Sequence, residues 1–460
     1  MTTSQQLEIT FSSGRSGTGP ATWGQQAIWD AVGKLTPADA PRYNVTASSP
    51  LDPGVPVPVV LDALTHLLHL HDGLHTRLLR DDDGRLRQTV DPAGRLPVHT
   101  RHSDGDAAEL AETGRLLHDE LAGRPFDCAT EWPIRVGLVE SGGLVRHMSL
   151  VLSHTAVDGS GMSQVVMDLS ALALGEPVEA MAERRAATQQ PLEEAAFQAS
   201  ERGRRRDANA RQHFLRKLRL GPPRQFPAPA GEPRPFPNAV LSSPALLRAV
   251  ELVAAAHRVS SSSVLLAAAA AMTSRLSGLP AATLQVVVSN RFLPGLTQAV
   301  STVAGESLFH LADAGKEFGD VVRRTHAASI ATYRHAYYDQ TLRDEDIARL
   351  RAGHGPTADR SCVFNDTREL APPAPAGGAA APPAAPEPLA LARARTTLDW
   401  PVEFEPRPGL SYALDALRTA DALRLAMTAD ASVLPRPTME RFLRGIEDLI
   451  LTEAAALGHD

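Results

Sequence analysis

The chain has little cysteine and little lysine. Its two cysteines, Cys128 and Cys362, make neither a metal spacing nor a disulfide framework, so a reduced, cytosolic setting is the expectation. Lysine occurs only at Lys34, Lys217 and Lys316; nearly all positive charge is arginine, a bias that fits GC-rich coding rather than chemistry. A net charge of -7 argues against the basic stripe that nucleic acid requires. The longest apolar run, 264–272, is too short to cross a bilayer, and no N-terminal signal pattern is visible, so no membrane partner is expected.

A hydrophobic content of 43% with 22% charged residues is that of a globular protein, and 460 residues exceed one ordinary core. Two domains of roughly 200 residues each are expected. Residues 1–19 are rich in Ser, Thr and Gly and read as a disordered N-terminus. Helical spacing marks 25–32, 59–71 and 107–121, and Asp81-Asp82-Asp83-Gly84 signals a hairpin before a strand at 86–90. Residues 134–139 and 145–152 read as paired strands around Ser141-Gly142-Gly143. Residues 192–218 read as one long polar helix, and 221–237 is a Pro-rich crossing. Helices at 244–257, 261–276 and 318–333, strands at 283–289, 409–417 and 422–427, and a closing helix at 438–457 form a second mixed unit. The Pro/Ala-rich stretch 371–388 is expected to be a mobile loop. Periodicity alone thus gives an α+β chain of two domains.

The most informative stretch is Ser153-His154-Thr155-Ala156-Val157-Asp158-Gly159, which follows the apolar run His147 to Leu152. Gly159 permits a tight reversal, and 162–174 then has helical apolar spacing. A histidine at such a strand-to-helix edge can face a cleft and exchange a proton near neutral pH.

Several segments in order resemble the condensation domains of nonribosomal peptide synthetases, in the wider superfamily of chloramphenicol acetyltransferase. The family's central H-H-x-x-x-D-G stands here as S-H-T-A-V-D-G. Ala21 to Trp29 is similar to its opening motif, and His71-Asp72-Gly73-Leu74-His75-Thr76-Arg77 to its R-H-E-x-L-R-T segment. Arg124-Pro125-Phe126-Asp127 with Trp132-Pro133-Ile134-Arg135 matches the stretch before the central strand. Ser289-Asn290-Arg291-Phe292-Leu293-Pro294 resembles the G-R-x-x-P segment of the second half. The matches run from about Thr22 to about Leu451.

This resemblance implies an α/β sandwich of two acetyltransferase-like lobes, 20–180 and 241–460, joined by a connection at 181–240. It further implies a V-shaped pseudodimer with a central tunnel. His154 is then the catalytic imidazole. Asp158 pairs with Arg291 in a structural role beside Gly159. Ser153, Ser160, Glu306 and Ser307 become possible substrate-channel residues. Two departures stand out: Ser153 replaces the usual first His, and the family's N-T-L-P-L segment reads Glu306-Ser307-Leu308-Phe309-His310-Leu311. No G-x-S-x-G spacing points to a serine nucleophile.

The histidines His66, His69, His71 and His75 with Asp72 invite a metal reading, but Gly73 interrupts their helix and H-E-x-x-H is absent; no metal and no intrinsic cofactor are expected. Arg202, Arg204, Arg205 and Arg206 read as a solvated helix face or as a docking patch for an acidic carrier. The expected function is that of a freestanding, monomeric condensation enzyme. It would join an acyl or peptidyl thioester, held on the phosphopantetheine of a carrier protein, to an amine or hydroxyl acceptor. Two other readings stay open: a carrier- or coenzyme-A-dependent O-acyltransferase on the same scaffold, and a non-catalytic recruitment domain.

Overall fold

A computed structural model describes residues 4–227, 234–368, 387–407 and 409–458. The chain forms two units that do not follow simple chain order. The first comprises Met1–Arg206, Ser289–Ala304 and Asp339–Thr341; the second comprises Asp207–Val288, Gly305–Tyr338 and Leu342–Asp460. The expected contiguous lobes therefore need correcting: the stretch that carries Arg291 lies in the second half of the sequence but packs with the first unit.

The first unit runs β1 (Ser4–Ser12), β2 (Gly17–Pro20), α1 (Trp23–Val32), β3 (Val45–Pro56), α2 (Val57–Leu70), β4 (Thr76–Arg80), β5 (Leu86–Val90), β6 (Ala93–His102), α3 (Ala107–Ala122), β7 (Ile134–Ser141), β8 (Leu144–Leu152), α4 (Gly159–Ala173), α5 (Val178–Arg184) and α6 (Pro191–Ala199). A five-stranded sheet has the order β1-β6-β7-β8-β3, and a smaller sheet has the order β2-β5-β4. Leu64 and Leu67 of α2 and Val165 of α4 close the core against Val98, Val136 and Leu150 of the larger sheet.

The N-terminus departs from the expected disorder. Ser4 to Ser12 form a full antiparallel ladder with β6, because Ile9 and Phe11 alternate onto the core face and are buried there. Phe11 meets the edge of Trp132 at 5.5 Å between ring centroids. The long polar helix expected over 192–218 is two helices, α6 and α7 (Glu201–Leu218). Ser200 between them is extended; its hydroxyl donates to the Phe197 carbonyl at 2.6 Å and accepts from the Gly203 amide at 3.1 Å, closing one helix and starting the next.

The second unit runs β9 (Phe236–Ser243), α8 (Pro244–His257), α9 (Ser261–Ser277), β10 (Ala282–Val288), β11 (Gly305–Leu311), α10 (Phe318–Arg334), α11 (Gln340–His354), β12 (Cys362–Asp366), α12 (Leu389–Arg393), β13 (Thr397–Phe404), β14 (Tyr412–Arg418), β15 (Leu423–Ala429) and α13 (Arg436–Ala456). Its seven-stranded sheet has the order β11-β10-β12-β14-β15-β9-β13. One sheet face packs on α8, α9, α10 and α13; α9 is buried from Ser263 to Ser274, the pattern of a helix enclosed on all sides. Among the described residues no single helix is long and apolar enough to cross a membrane. Most of the stretch 371–388 and part of the crossing 221–237 lie outside the described residues.

Candidate active site

The site is built where β8 hands over to α4. Asp158 is the N-cap of α4, and its Oδ1 accepts the Gly161 amide at 2.8 Å, satisfying one of the donors a helix leaves open at its start. The same oxygen accepts from Arg291 Nη2 at 2.5 Å. Oδ2 accepts the amides of Val303 at 3.0 Å and Ala304 at 2.8 Å. The carboxylate is 2% exposed and saturated by four donors, none of them from His154. Arg291 spends its remaining bonds on backbone carbonyls, those of Leu296, Ala299 and Ser301. The pair thus ties the start of α4 to the Ser289–Ala304 stretch.

His154 sits in the turn just above this anchor, half-buried, with buried neighbours on both sides. Its Nδ1 lies 2.9 Å from the Val157 carbonyl. A carbonyl only accepts, so Nδ1 carries the proton and a neutral ring keeps its lone pair on Nε2. The His154 carbonyl accepts from the Thr302 hydroxyl, and the Tyr43 ring stands 6.2 Å away at 42°. The backbone of the Thr302 stretch comes very close to α1 and to the turn after α2. A Cβ on Gly24 would fall 1.8 Å from the Thr302 carbonyl, and one on Gly73 would fall 2.7 Å from that of Val300.

Comparison with known proteins decides the family. The condensation-domain model matches residues 17–349, well over half of the chain. The chain belongs to the condensation-domain family. A 152-residue stretch of this condensation domain is 31% identical to a probable non-canonical nonribosomal peptide synthetase, CymA, of Salinispora arenicola (strain CNS-205). That match covers 33% of this chain and 2% of the relative. An isonitrile lipopeptide synthase of Mycobacterium tuberculosis (strain ATCC 25618 / H37Rv) is 24% identical over 327 residues, covering 68% of this chain and 13% of the relative. The chain therefore spans a small fraction of the length of both curated relatives. Among solved structures, the condensation domain that mediates chain release from the enacyloxin polyketide synthase superposes with a TM-score of 0.70 at 19% identity, covering 94% of this chain and 82% of that one. The fold is that of condensation domains, each with two acetyltransferase-like lobes.

The remaining expected residues fall in different places. Gly159 and Ser160 open α4 and are half-buried. Ser153 is 5% exposed; its hydroxyl lies 2.8 Å from that of Thr155 and 3.6 Å from Cys128 Sγ. That position differs from the channel-lining role expected of it, because the side chain is spent inside a small polar knot. Ser307 is also corrected: it is fully buried, on the strand face it shares with Phe309 and Leu311, and its hydroxyl has no hydrogen-bond partner among the described residues. Glu306 is half-buried in the second unit, with Oε2 3.7 Å from Arg343 Nη1.

Among the described residues no group of three or more His, Cys, Asp or Glu side chains is placed to hold a metal ion. His71 Nε2 lies 2.7 Å from Asp168 Oδ2, and Arg185 and Gln164 bond the other oxygen. Burial pulls the His71 pKa below its ordinary value, against the pull of Asp168. His75 donates from Nδ1 to the Asp91 carbonyl at 2.8 Å, and burial likewise lowers its pKa.

Sequence reasoning missed Thr302, Val303 and Ala304, which hold the His154–Asp158 turn, and Tyr43 beside it. It also missed the buried Glu194, which accepts the Ser301 hydroxyl at 2.9 Å. No periodicity flags these positions; only the match around Arg291 pointed to this part of the chain.

Proposed function

We propose that this condensation domain transfers an acyl or peptidyl group from the phosphopantetheine thioester of a carrier protein to an amine or hydroxyl acceptor, with His154 as the catalytic imidazole. The acceptor attacks the thioester carbonyl, a C–N or C–O bond forms, and the C–S bond breaks. His154 Nε2 takes the acceptor's proton and returns it to the departing thiolate, so the products are an amide or ester and a free thiol. Holding both reactants in line supplies much of the rate, because it removes the entropic cost of their encounter. Carrier-held substrates also fit the synthetases among the chain's relatives.

One observation carries the reading: the 2.9 Å contact from Nδ1 to the Val157 carbonyl, which fixes the tautomer that leaves Nε2 free to accept. Asp158 is a positioning residue, since its carboxylate is spent on Arg291 and backbone amides. The test is incubation of the protein with an acyl-loaded carrier and a panel of amines and alcohols, followed by intact-protein mass spectrometry. Unloading of the carrier should fall by about 10²–10⁴-fold in His154→Ala, the range general acid–base groups contribute. Equal unloading by the two proteins would overturn the assignment, and activity with acyl-coenzyme A alone would replace the carrier as donor.

A further inference from the structure

Strand register brings a tyrosine to the catalytic turn. β3 and β8 run antiparallel, with Ala47 opposite Leu150 and Val45 opposite Leu152. Continued past the end of that ladder, the same register sets Tyr43 opposite His154. The two rings stand together there, with centroids 6.2 Å apart and planes at 42°. Tyr43 closes a short 3-10 turn, Ala40–Tyr43, and the residue after it is pinned. Asn44 Nδ2 donates to the Ala122 carbonyl at 2.8 Å and to the Arg124 carbonyl at 2.9 Å, and the Asn44 amide donates to the Pro41 carbonyl at 2.9 Å. A fixed backbone thus holds an aromatic ring beside the imidazole.

Tyr43 is half-buried. Its hydroxyl has no hydrogen-bond partner among the described residues, and it is not among the polar atoms sealed from solvent. A tyrosine packed along its ring and open at its oxygen offers one polar atom to whatever enters. The hydroxyls that touch the His154 turn are already committed. That of Thr302 donates to the His154 carbonyl, and those of Ser153 and Thr155 lie 2.8 Å from each other. The Asp158 carboxylate only accepts and is saturated. When an acceptor adds to a thioester carbonyl, negative charge collects on the carbonyl oxygen. An imidazole engaged in taking the acceptor's proton leaves that charge to a separate donor.

We infer that the Tyr43 hydroxyl is this donor, a second catalytic group that hydrogen-bonds the oxyanion of the tetrahedral centre formed beside His154. The inference rests on the acyl-transfer reading proposed above. The phenol keeps its proton, so the bonds made and broken remain those of the acyl transfer. Tyr43→Phe tests it, because it removes the oxygen and keeps the ring. With the carrier and acceptor pair that gives most product in the panel above, kcat should fall about 10²–10³-fold, the loss expected for one oxyanion donor. KM for the loaded carrier should stay at the wild-type value, since the bond is made only in the transition state. The melting temperature should also hold, because the hydroxyl has no bond to a described residue to lose. Tyr43→Ala should lose at least as much activity as Tyr43→Phe. His154→Ala, assayed alongside, separates the two claims. Wild-type turnover in that variant, or no turnover of any pair by the folded wild type, would sink the acyl-transfer reading and this inference with it. A loss in His154→Ala with wild-type kcat in Tyr43→Phe would overturn the oxyanion role alone, as would a loss in Tyr43→Ala that Tyr43→Phe does not share.

Discussion

Asp158 and Arg291 lie 133 positions apart in sequence and meet at 2.5 Å. Both side chains are largely hidden, at 3% and 12% exposure. Neither charge has a good alternative in water, so removing one leaves the other stranded. Asp158→Ala should therefore cost the first unit about 3–5 kcal/mol, more than a surface ion pair would. The double variant Asp158→Ala with Arg291→Met should recover part of that loss. Chemical denaturation followed by tryptophan fluorescence checks it, because Trp23, Trp29 and Trp132 belong to the first unit and only Trp400 to the second. A single variant that unfolds at the wild-type midpoint would refute the anchoring role.

Ser153, at the position where the family usually carries its first histidine, is expected to be expendable for chemistry. Its hydroxyl is turned into the knot with Thr155 and Cys128. Ser153→Ala should lose about 1 kcal/mol, the net value of one hydrogen bond, and keep wild-type turnover of a loaded carrier. Ser153→His forces a large ring into that space and should destabilise by about 1–3 kcal/mol without raising activity. A large rise in turnover in Ser153→His would show instead that the serine blunts the site.

Local elements were legible in the sequence where capping and apolar spacing agree. Asp106 before α3 caps two amides, and Leu117 and Leu121 take its buried face. The His154 turn was legible for the same reason: a strand, a glycine and a helix leave it little freedom. The β1 strand was hidden because Ser, Thr and Gln dominate its composition, and the alternation of Leu7, Ile9 and Phe11 is its only signal. Helix α11 carries charged residues almost throughout and buries only Arg343, Ile347 and Leu350, too few for its periodicity to show. The partners of Asp158 were the least legible. Backbone amides of Val303 and Ala304 have no side-chain signature, and only the fold delivers them.

Acid should destabilise the protein through its histidines. Burial lowers the pKa of His71, His75, His147 and His310, and that of His213 to about 4, with the nearby His335 and Lys217 adding to the last. The unfolded chain binds a proton at each near pH 6.5 while the folded chain does not. Below that pH the unfolded state therefore holds more protons and gains, so stability is full above about pH 6.5 and is lost progressively as pH falls toward 4. Denaturation midpoints measured from pH 7.5 to 4.5 should show this slope. His213→Gln should flatten it, because His213 stacks on His335 at 4.4 Å and its Nε2 has no hydrogen-bond partner among the described residues to reward protonation. A slope of opposite sign would contradict the burial argument.

Gly24 is the sharpest steric test of how the His154 turn is held. A Cβ there would lie 1.8 Å from the Thr302 carbonyl and 3.2 Å from its methyl. The obstacle is backbone, so it cannot rotate away; either α1 or the 300–304 stretch must shift. That stretch supplies the Thr302 hydroxyl to the His154 carbonyl and two amides to Asp158. Gly24→Ala should therefore cost about 1–3 kcal/mol and lower carrier unloading as well, since the imidazole loses its support. A Cβ on Gly353, in α11, would meet no described residue within 4 Å, so Gly353→Ala should be neutral or stabilise by about 0.5–1 kcal/mol from helix propensity alone. Thermal melts and carrier assays of the two variants side by side separate a contact effect from a general glycine effect. Full activity in a stable Gly24→Ala protein would show that the Thr302 stretch does not position His154.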